Sequence, residues 1–241
     1  KMSHLHLVSC EEYARRVHQM GEEEWRIHVT GAPGLDDLGK LSILERRALS
    51  EIVGLDLARQ TLLMCYHPVT LEPGQAAGQI ASVLEAIKSS GIQAVITYPN
   101  VDPGHAPIIE AIDAFAKSNP DRVALLKNAG AEVFISLLAN VDVIIGNSST
   151  GIVEAATFKL PVVNIGTRQD GKIKPPNIIN TGYDAAKIKD AISKATNSDF
   201  RASLSGLVNP YGDGKAGPRI AEIIASQQLD ARLLRKKFVD K

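Results

Sequence analysis

What this 241-residue sequence lacks narrows its function. Lys plus Arg and Asp plus Glu each number 27, for a formal net charge of zero. No basic field is present to hold nucleic acid or to draw the chain to an anionic membrane surface. The longest apolar runs, such as residues 61–66, are strand-sized, far short of the ~20 residues that span a bilayer. The start, Lys1-Met2-Ser3-His4, carries no secretory apolar segment. The two cysteines, Cys10 and Cys65, lie far apart and read as reduced, buried thiols. No Cys/His cluster has metal-ligand spacing, and His4 and His6, on one face of a strand, read as packing. Neither a Gly-x-x-x-x-Gly-Lys-Ser/Thr loop nor a Gly-x-Gly-x-x-Gly fingerprint occurs, which argues against P-loop hydrolysis and nicotinamide binding. The expectation is a cytoplasmic protein with no metal and no cofactor.

What is present is ordinary in bulk, 44% hydrophobic and 22% charged, and informative in order. Apolar runs of strand length alternate with helix-period segments. Residues 4–9 read as a strand, 11–20 as a helix stopped by Gly21, and 25–30 as a second strand. After the breaker cluster Gly31-Ala32-Pro33-Gly34 and a charged, partly helical connector over 35–53, a new series starts. Strands at 62–66, 94–98, 123–126, 141–145, 162–165 and 178–179 are interleaved with helices at 75–89, 106–117, 132–140 and 185–196. Residues 218–241 are helical in pattern, and their basic end (Arg232, Arg235, Lys236, Lys237) reads as a solvated face or tail. Such alternation specifies an α/β fold: a Rossmann-like parallel sheet with helices on both faces.

The richest stretch is 141–172. A buried strand (Val141, Val143, Ile144, Ile145) runs into Gly146-Asn147-Ser148-Ser149-Thr150-Gly151, then an apolar helix with one acid, Glu154, then a strand ending in Gly166-Thr167-Arg168. Hydroxyls and backbone N–H groups at that turn make an anion site, most naturally for phosphate. The other strand ends carry His67-Pro68-Val69-Thr70, Pro99-Asn100-Val101-Asp102-Pro103-Gly104 and Lys127-Asn128. In open α/β sheets such ends converge on one polar-ligand crevice. Ser148 and Ser149 can give hydroxyls to phosphate oxygens while the N–H groups of Thr150 and Gly151 point the same way; Ser149 also suits a helix N-cap. Glu154 is an expensive charge on an apolar helix unless it accepts a ribose diol, or merely favours the helix dipole. Arg168 can pair with a phosphate or sugar, or with Glu154 or Asp170. His67 can donate to a diphosphate, shuttle a proton, or be structural. Asn100 and Asp102 also fit local turn chemistry.

Read in order, His67-Pro68-Val69-Thr70, Pro99-Asn100-x-Asp102-Pro103-Gly104, Gly146-Asn147-Ser148-Ser149-x-Gly151-x-x-Glu154, Gly166-Thr167-Arg168-Gln169-x-Gly171 and Asn209-Pro210-Tyr211-Gly212-Asp213-Gly214 resemble the hydrolysing UDP-N-acetylglucosamine 2-epimerases, in particular the branch serving sialic acid-type sugars. The resemblance implies one half of a glycosyltransferase-B-like two-domain fold. It divides the chain into residues 1–38 as the end of an amino-terminal Rossmann-like domain, 39–60 as connector, 61–215 as UDP-binding domain and 216–241 as a terminal crossover helix. It implies conversion of UDP-N-acetylglucosamine and water to UDP and N-acetylmannosamine, by elimination of UDP to 2-acetamidoglucal followed by hydration. His67 and Arg168 would be catalytic; Asn100, Lys127, Asn128, Ser148, Ser149, Gly151 and Glu154 would bind UDP and sugar, with Glu154 on the ribose and Lys127-Asn128 beside the uracil. A homodimer is implied. The alternatives are a UDP-diacetamido-trideoxyhexose 2-epimerase, a nucleotide-sugar glycosyltransferase using the same fold, and a noncatalytic UDP-sugar-binding module. The carboxylates that move the protons would lie in the amino-terminal domain, mostly absent here, so these 241 residues alone are expected to bind UDP with little turnover.

Overall fold

The computed structural model describes residues 2–240; Lys1 and Lys241, at the ends of the first and last predicted segments, lie outside the described residues. The chain divides into two compact units, Leu41–Val208 and, separately, the residues up to 40 together with those from 209 onward.

The smaller unit opens with β1 (His6–Val8), α1 (Glu11–Gln19) and β2 (Ile27–Val29), the strands pairing in parallel with His6 opposite Ile27. Glu11 and Glu12 complement the positive end of α1, and the chain turns out of the helix at Gly21, φ 80°. The strand predicted from Trp25 begins later, because Glu23 accepts both Arg26 Nε (2.7 Å) and Trp25 Nε1 (3.2 Å) and winds Glu24–Arg26 into a 3₁₀ turn.

In the larger unit come α2 (Arg46–Val53), β3 (Thr61–Cys65), α3 (Ala76–Ser90), β4 (Gln93–Thr97), α4 (His105–Ser118), β5 (Val123–Leu126), α5 (Gly130–Asn140), β6 (Val143–Gly146), α6 (Ser149–Val153), β7 (Val162–Ile165), β8 (Ile178–Thr181), α7 (Ala185–Ala195) and α8 (Ser198–Ser203). The six strands form one parallel sheet in the order β5-β4-β3-β6-β7-β8. Both faces are covered, so strand residues divide by parity. Leu62 and Met64 pack with Ile80 and Ile87 of α3, Ile108 and Ile112 of α4, and Ile188 and Ile192 of α7. Leu63 and Cys65 pack with Leu49 of α2 and Leu137 of α5.

The helix predicted to carry Glu154 is cut short. The chain must enter β7 through Leu160-Pro161, so α6 stops at Val153, Ala155–Phe158 tightens to a 3₁₀ turn, and Lys159 takes φ 52°. The single tail helix predicted over 218–241 is likewise two, α9 (Ala216–Ala225) and α10 (Ala231–Leu234), because the Asp230 carboxylate accepts Leu233 N–H (2.9 Å) and starts a new helix.

Arg232, Arg235 and Lys237 of the basic end are exposed, as a solvated face requires, but the backbone that carries them is held. Arg26, fully buried, donates to the carbonyls of His4 (3.0 Å), Leu233 (2.9 Å), Arg232 (2.8 Å) and Arg235 (3.4 Å) as well as to Glu23. Arg232 lies 4.3 Å over the Trp25 ring, and Lys236 Nζ reaches buried Glu22 at 2.7 Å. Among the described residues no helix is long and apolar enough to cross a membrane.

Candidate functional site

Strand order alone marks where a ligand would sit. From β3 the chain moves outward through β4 to β5, then returns to place β6 on the other side of β3. That reversal leaves a crevice at the carboxyl ends of β3 and β6. Register then levels the rim: Leu126 pairs with Thr97, Thr97 with Cys65, and Cys65 with Gly146. The residues following these four strands therefore open at one height. Gly146 is needed for the closest pairing, with φ 125° and a position where a Cβ would fall 2.1 Å from the Cys65 carbonyl oxygen.

A cleft of about 510 Å³ lies over this rim. Seven predicted residues line it: His67, Asn100, Lys127, Asn128, Ser148, Ser149 and Arg168. Lys127 Nζ also sits 5.7 Å from the Tyr98 ring centroid, and Asn128 Oδ1 accepts Gly130 N–H (3.0 Å) at the start of α5. Gly151 and Glu154 are not in this lining. Gly151 is buried where a Cβ would meet Val162 Cγ1 at 2.9 Å, so it permits close packing of α6 on β7. Nor do the Thr150 and Gly151 N–H groups point together into the cleft as expected: they bond to Ser148 Oγ (3.3 Å) and the Ser148 carbonyl (3.2 Å). The N-cap is thus Ser148, one residue earlier than Ser149.

Glu154 terminates α6 with its Oε2 buried and without a hydrogen-bond partner. Burial pushes its carboxyl above the ordinary range, opposed by its own backbone N–H and by Lys172. An orphaned acceptor of this kind is costly and marks a place for a donor.

His67 is the best-defined side chain of the cleft. Asn147, fully buried, accepts His67 N–H at Oδ1 (2.7 Å) and donates from Nδ2 to the His67 carbonyl (2.8 Å), tying the ends of β3 and β6 together. Asn100 N–H donates to His67 Nδ1 at 3.0 Å, which leaves the proton on Nε2. Burial, reinforced by the Arg168 charge and opposed by Asp102, lowers the imidazole to about 4. At neutral pH His67 is an uncharged Nε2–H donor. Arg168 pairs with neither Glu154 nor Asp170; its Nη1 donates to the Asn147 carbonyl (3.1 Å), shared with Gln169 Nε2 (2.8 Å), while Asp170 takes Lys174 (3.3 Å).

Two roles escaped the sequence. Asn147 reads as one more polar turn residue, although it is the latch of the rim. Glu72 gathers Thr167 Oγ1 (2.5 Å), Tyr183 O–H (2.7 Å) and Gln79 Nε2 (2.5 Å). The one available signal was Gln79, a polar residue on the apolar face of α3 between Ala76 and Ile80. Among the described residues no group of three or more His, Cys, Asp or Glu could hold a metal ion.

Comparison with known proteins gives this geometry a context. Residues 1–225 match the family model described as UDP-N-acetylglucosamine 2-epimerase. The chain is 35% identical over 236 residues to a UDP-N,N'-diacetylbacillosamine 2-epimerase (hydrolyzing) of Legionella pneumophila, covering 98% of this chain and 61% of that protein. It is 32% identical to a UDP-N-acetylglucosamine 2-epimerase of Neisseria meningitidis, covering 100% of this chain and 62% of that one. The crystal structure of a UDP-GlcNAc 2-epimerase from Neisseria meningitidis bound to UDP-GlcNAc shares the fold, with a TM-score of 0.77 at 19% identity over 93% of this chain and 62% of that chain. The chain spans about three-fifths of the length of these curated relatives. A two-sided parallel sheet, its crevice and a family match over nearly the whole sequence together make this chain a member of the UDP-N-acetylglucosamine 2-epimerase family.

Proposed function

We propose that the larger unit binds the UDP portion of an N-acetylated UDP-hexose, and that the protein containing this chain is a hydrolysing 2-epimerase. The observation that carries the reading is His67, held neutral with its Nε2 proton in the same cleft as Arg168, Ser148 and Ser149. Loss of UDP across C1–C2 breaks the C1–O bond, leaves its electron pair on the diphosphate and takes a proton from C2. Donors that meet that charge without competing for a proton stabilise the departure. Here His67 and Arg168 serve the leaving diphosphate, Ser148 and Ser149 hold its oxygens, Asn100 lines the sugar end, and Lys127 and Asn128 border the uracil. Glu154, with Gly151 allowing its helix to pack closely, offers its orphaned oxygen to a ribose hydroxyl. Water then adds to the glucal with inversion at C2. The enzyme is proposed to work in the cytoplasm as a homodimer.

The sugar we favour is N-acetylglucosamine, released as N-acetylmannosamine for sialic acid-type products. A UDP-diacetamido-trideoxyhexose is the second reading, supported by the name of the Legionella relative. Titrating the 241-residue chain with UDP by calorimetry should give saturable binding, and absence of heat at saturating UDP would overturn the reading. Assays of sugar release from each UDP-sugar by a protein carrying the remaining length would separate the two sugars.

A further inference from the structure

We propose that Glu72 is a positioning residue for Arg168, tying the turn that carries the guanidinium to the loop that follows His67. The inference rests on the UDP reading above. Glu72 lies in residues 68–75, between β3 and α3, and Thr167 immediately precedes Arg168. Glu72 Oε1 accepts Thr167 Oγ1 at 2.5 Å, and Oε2 accepts Tyr183 O–H at 2.7 Å and Gln79 Nε2 at 2.5 Å. Gln79 Oε1 in turn accepts Tyr66 O–H (3.0 Å), from a side chain with no exposure. The anchor thus runs from the core through one carboxylate to the Arg168 turn.

That turn needs an anchor. Arg168 lines the 510 Å³ cleft and also a second cavity of about 560 Å³, bordered by Pro68, Val69, Thr70 and Thr167. With open space on both sides, packing does not fix the guanidinium, and Nη1 to the Asn147 carbonyl is a single restraint. Its backbone is set instead by Gly166, at φ 73°, where a Cβ would meet Tyr183 Oη at 2.2 Å. Tyr183 Oη and Thr167 Oγ1 both end on Glu72. A carboxylate suits this junction better than an amide: three donors converge on two oxygens, and a glutamine keeps all three contacts only by turning its N–H₂ on Thr167 Oγ1, reversing that bond and leaving a neutral acceptor for Tyr183 and Gln79. Bonds to the ionised acid are also the stronger kind.

The test is UDP titration of the 241-residue chain carrying Glu72→Gln, Thr167→Val or Arg168→Ala, and of each of the first two combined with Arg168→Ala. Glu72→Gln should weaken UDP about tenfold and Thr167→Val about threefold when Arg168 is present, and each less than twofold when it is absent, as coupled neighbours behave. Thr167→Val leaves the Tyr183 and Gln79 bonds in place, so it decides the matter should Glu72→Gln fail to fold. Losses below twofold with Arg168 present, or equal losses in both backgrounds, would overturn the positioning role. Absence of UDP binding by the unaltered chain would overturn the functional reading itself, and this inference with it.

Discussion

Arg26 and Glu154 are both charges held out of water, and they are treated in opposite ways. Arg26 in the smaller unit directs its guanidinium to five oxygens, four of them backbone carbonyls, and is fully buried. Its fork geometry has five N–H donors, so it is saturated. Glu154 in the larger unit keeps a buried oxygen with no partner, and its carboxyl is pushed toward the neutral form. A saturated charge fastens the chain to itself; an unsaturated one is available to something else. Burial alone does not separate the two; the state of their hydrogen bonds, together with Glu154's place at the end of the helix that follows the rim, does.

The contrast can be broken most sharply at Arg26. Arg26→Met should destabilise the smaller unit by about 4 kcal/mol, the order found when one partner of a buried pair is removed. Thermal unfolding should show the loss while UDP affinity stays within about twofold, since no ligand contact is removed. A large loss of UDP binding by a protein that is still folded would erase the distinction.

His67 stands between the two extremes, and pH tests it. Its ordinary value of 6.5 falls to about 4 in the fold. Between these values the unfolded chain binds a proton that the folded one refuses. The stability contribution is therefore complete above pH 6.5 and lost as pH falls toward 4. Allowing for residual solvent contact, the change is about 2 kcal/mol. Melting temperatures across that window should drop in the unaltered chain and drop less in His67→Gln.

The mildest change, Glu154→Gln, sharpens the comparison from the other side. Removing an unpaired buried charge should leave the unliganded fold as stable or more so, while UDP affinity falls about tenfold, the scale of one hydrogen bond to a charged acceptor. Folded protein with unchanged affinity would remove the ribose assignment.

How much of this was legible beforehand depended on the range of the interaction. β7 appears at 162–165 as its apolar run predicted, and the other strands of the large sheet fall within two residues at each boundary, because parity and burial are written locally. The rim residues were legible for the same reason: each follows its own strand directly. The His67 tautomer was not, since it is set by a backbone N–H 33 positions away at Asn100. The Glu72 junction draws on Thr167 and Tyr183, 95 and 111 positions distant. The docked tail was hidden because its carbonyls, common to every residue type, are what Arg26 grips. Composition in that segment reports only the side chains.

The levelled rim has a consequence for how such a protein can change. Four adjacent strand ends span three gaps of about 4.8 Å, some 14 Å in all. A ligand lying crosswise meets a different turn at each step, with Lys127 and Asn128 after β5 at one margin and Ser148 and Ser149 after β6 toward the other. Each turn can be lengthened or rewritten without shifting its neighbours, because the sheet beneath holds the spacing. On the proposed UDP reading, preference for one base over another can thus drift while the handling of phosphate stays as it was.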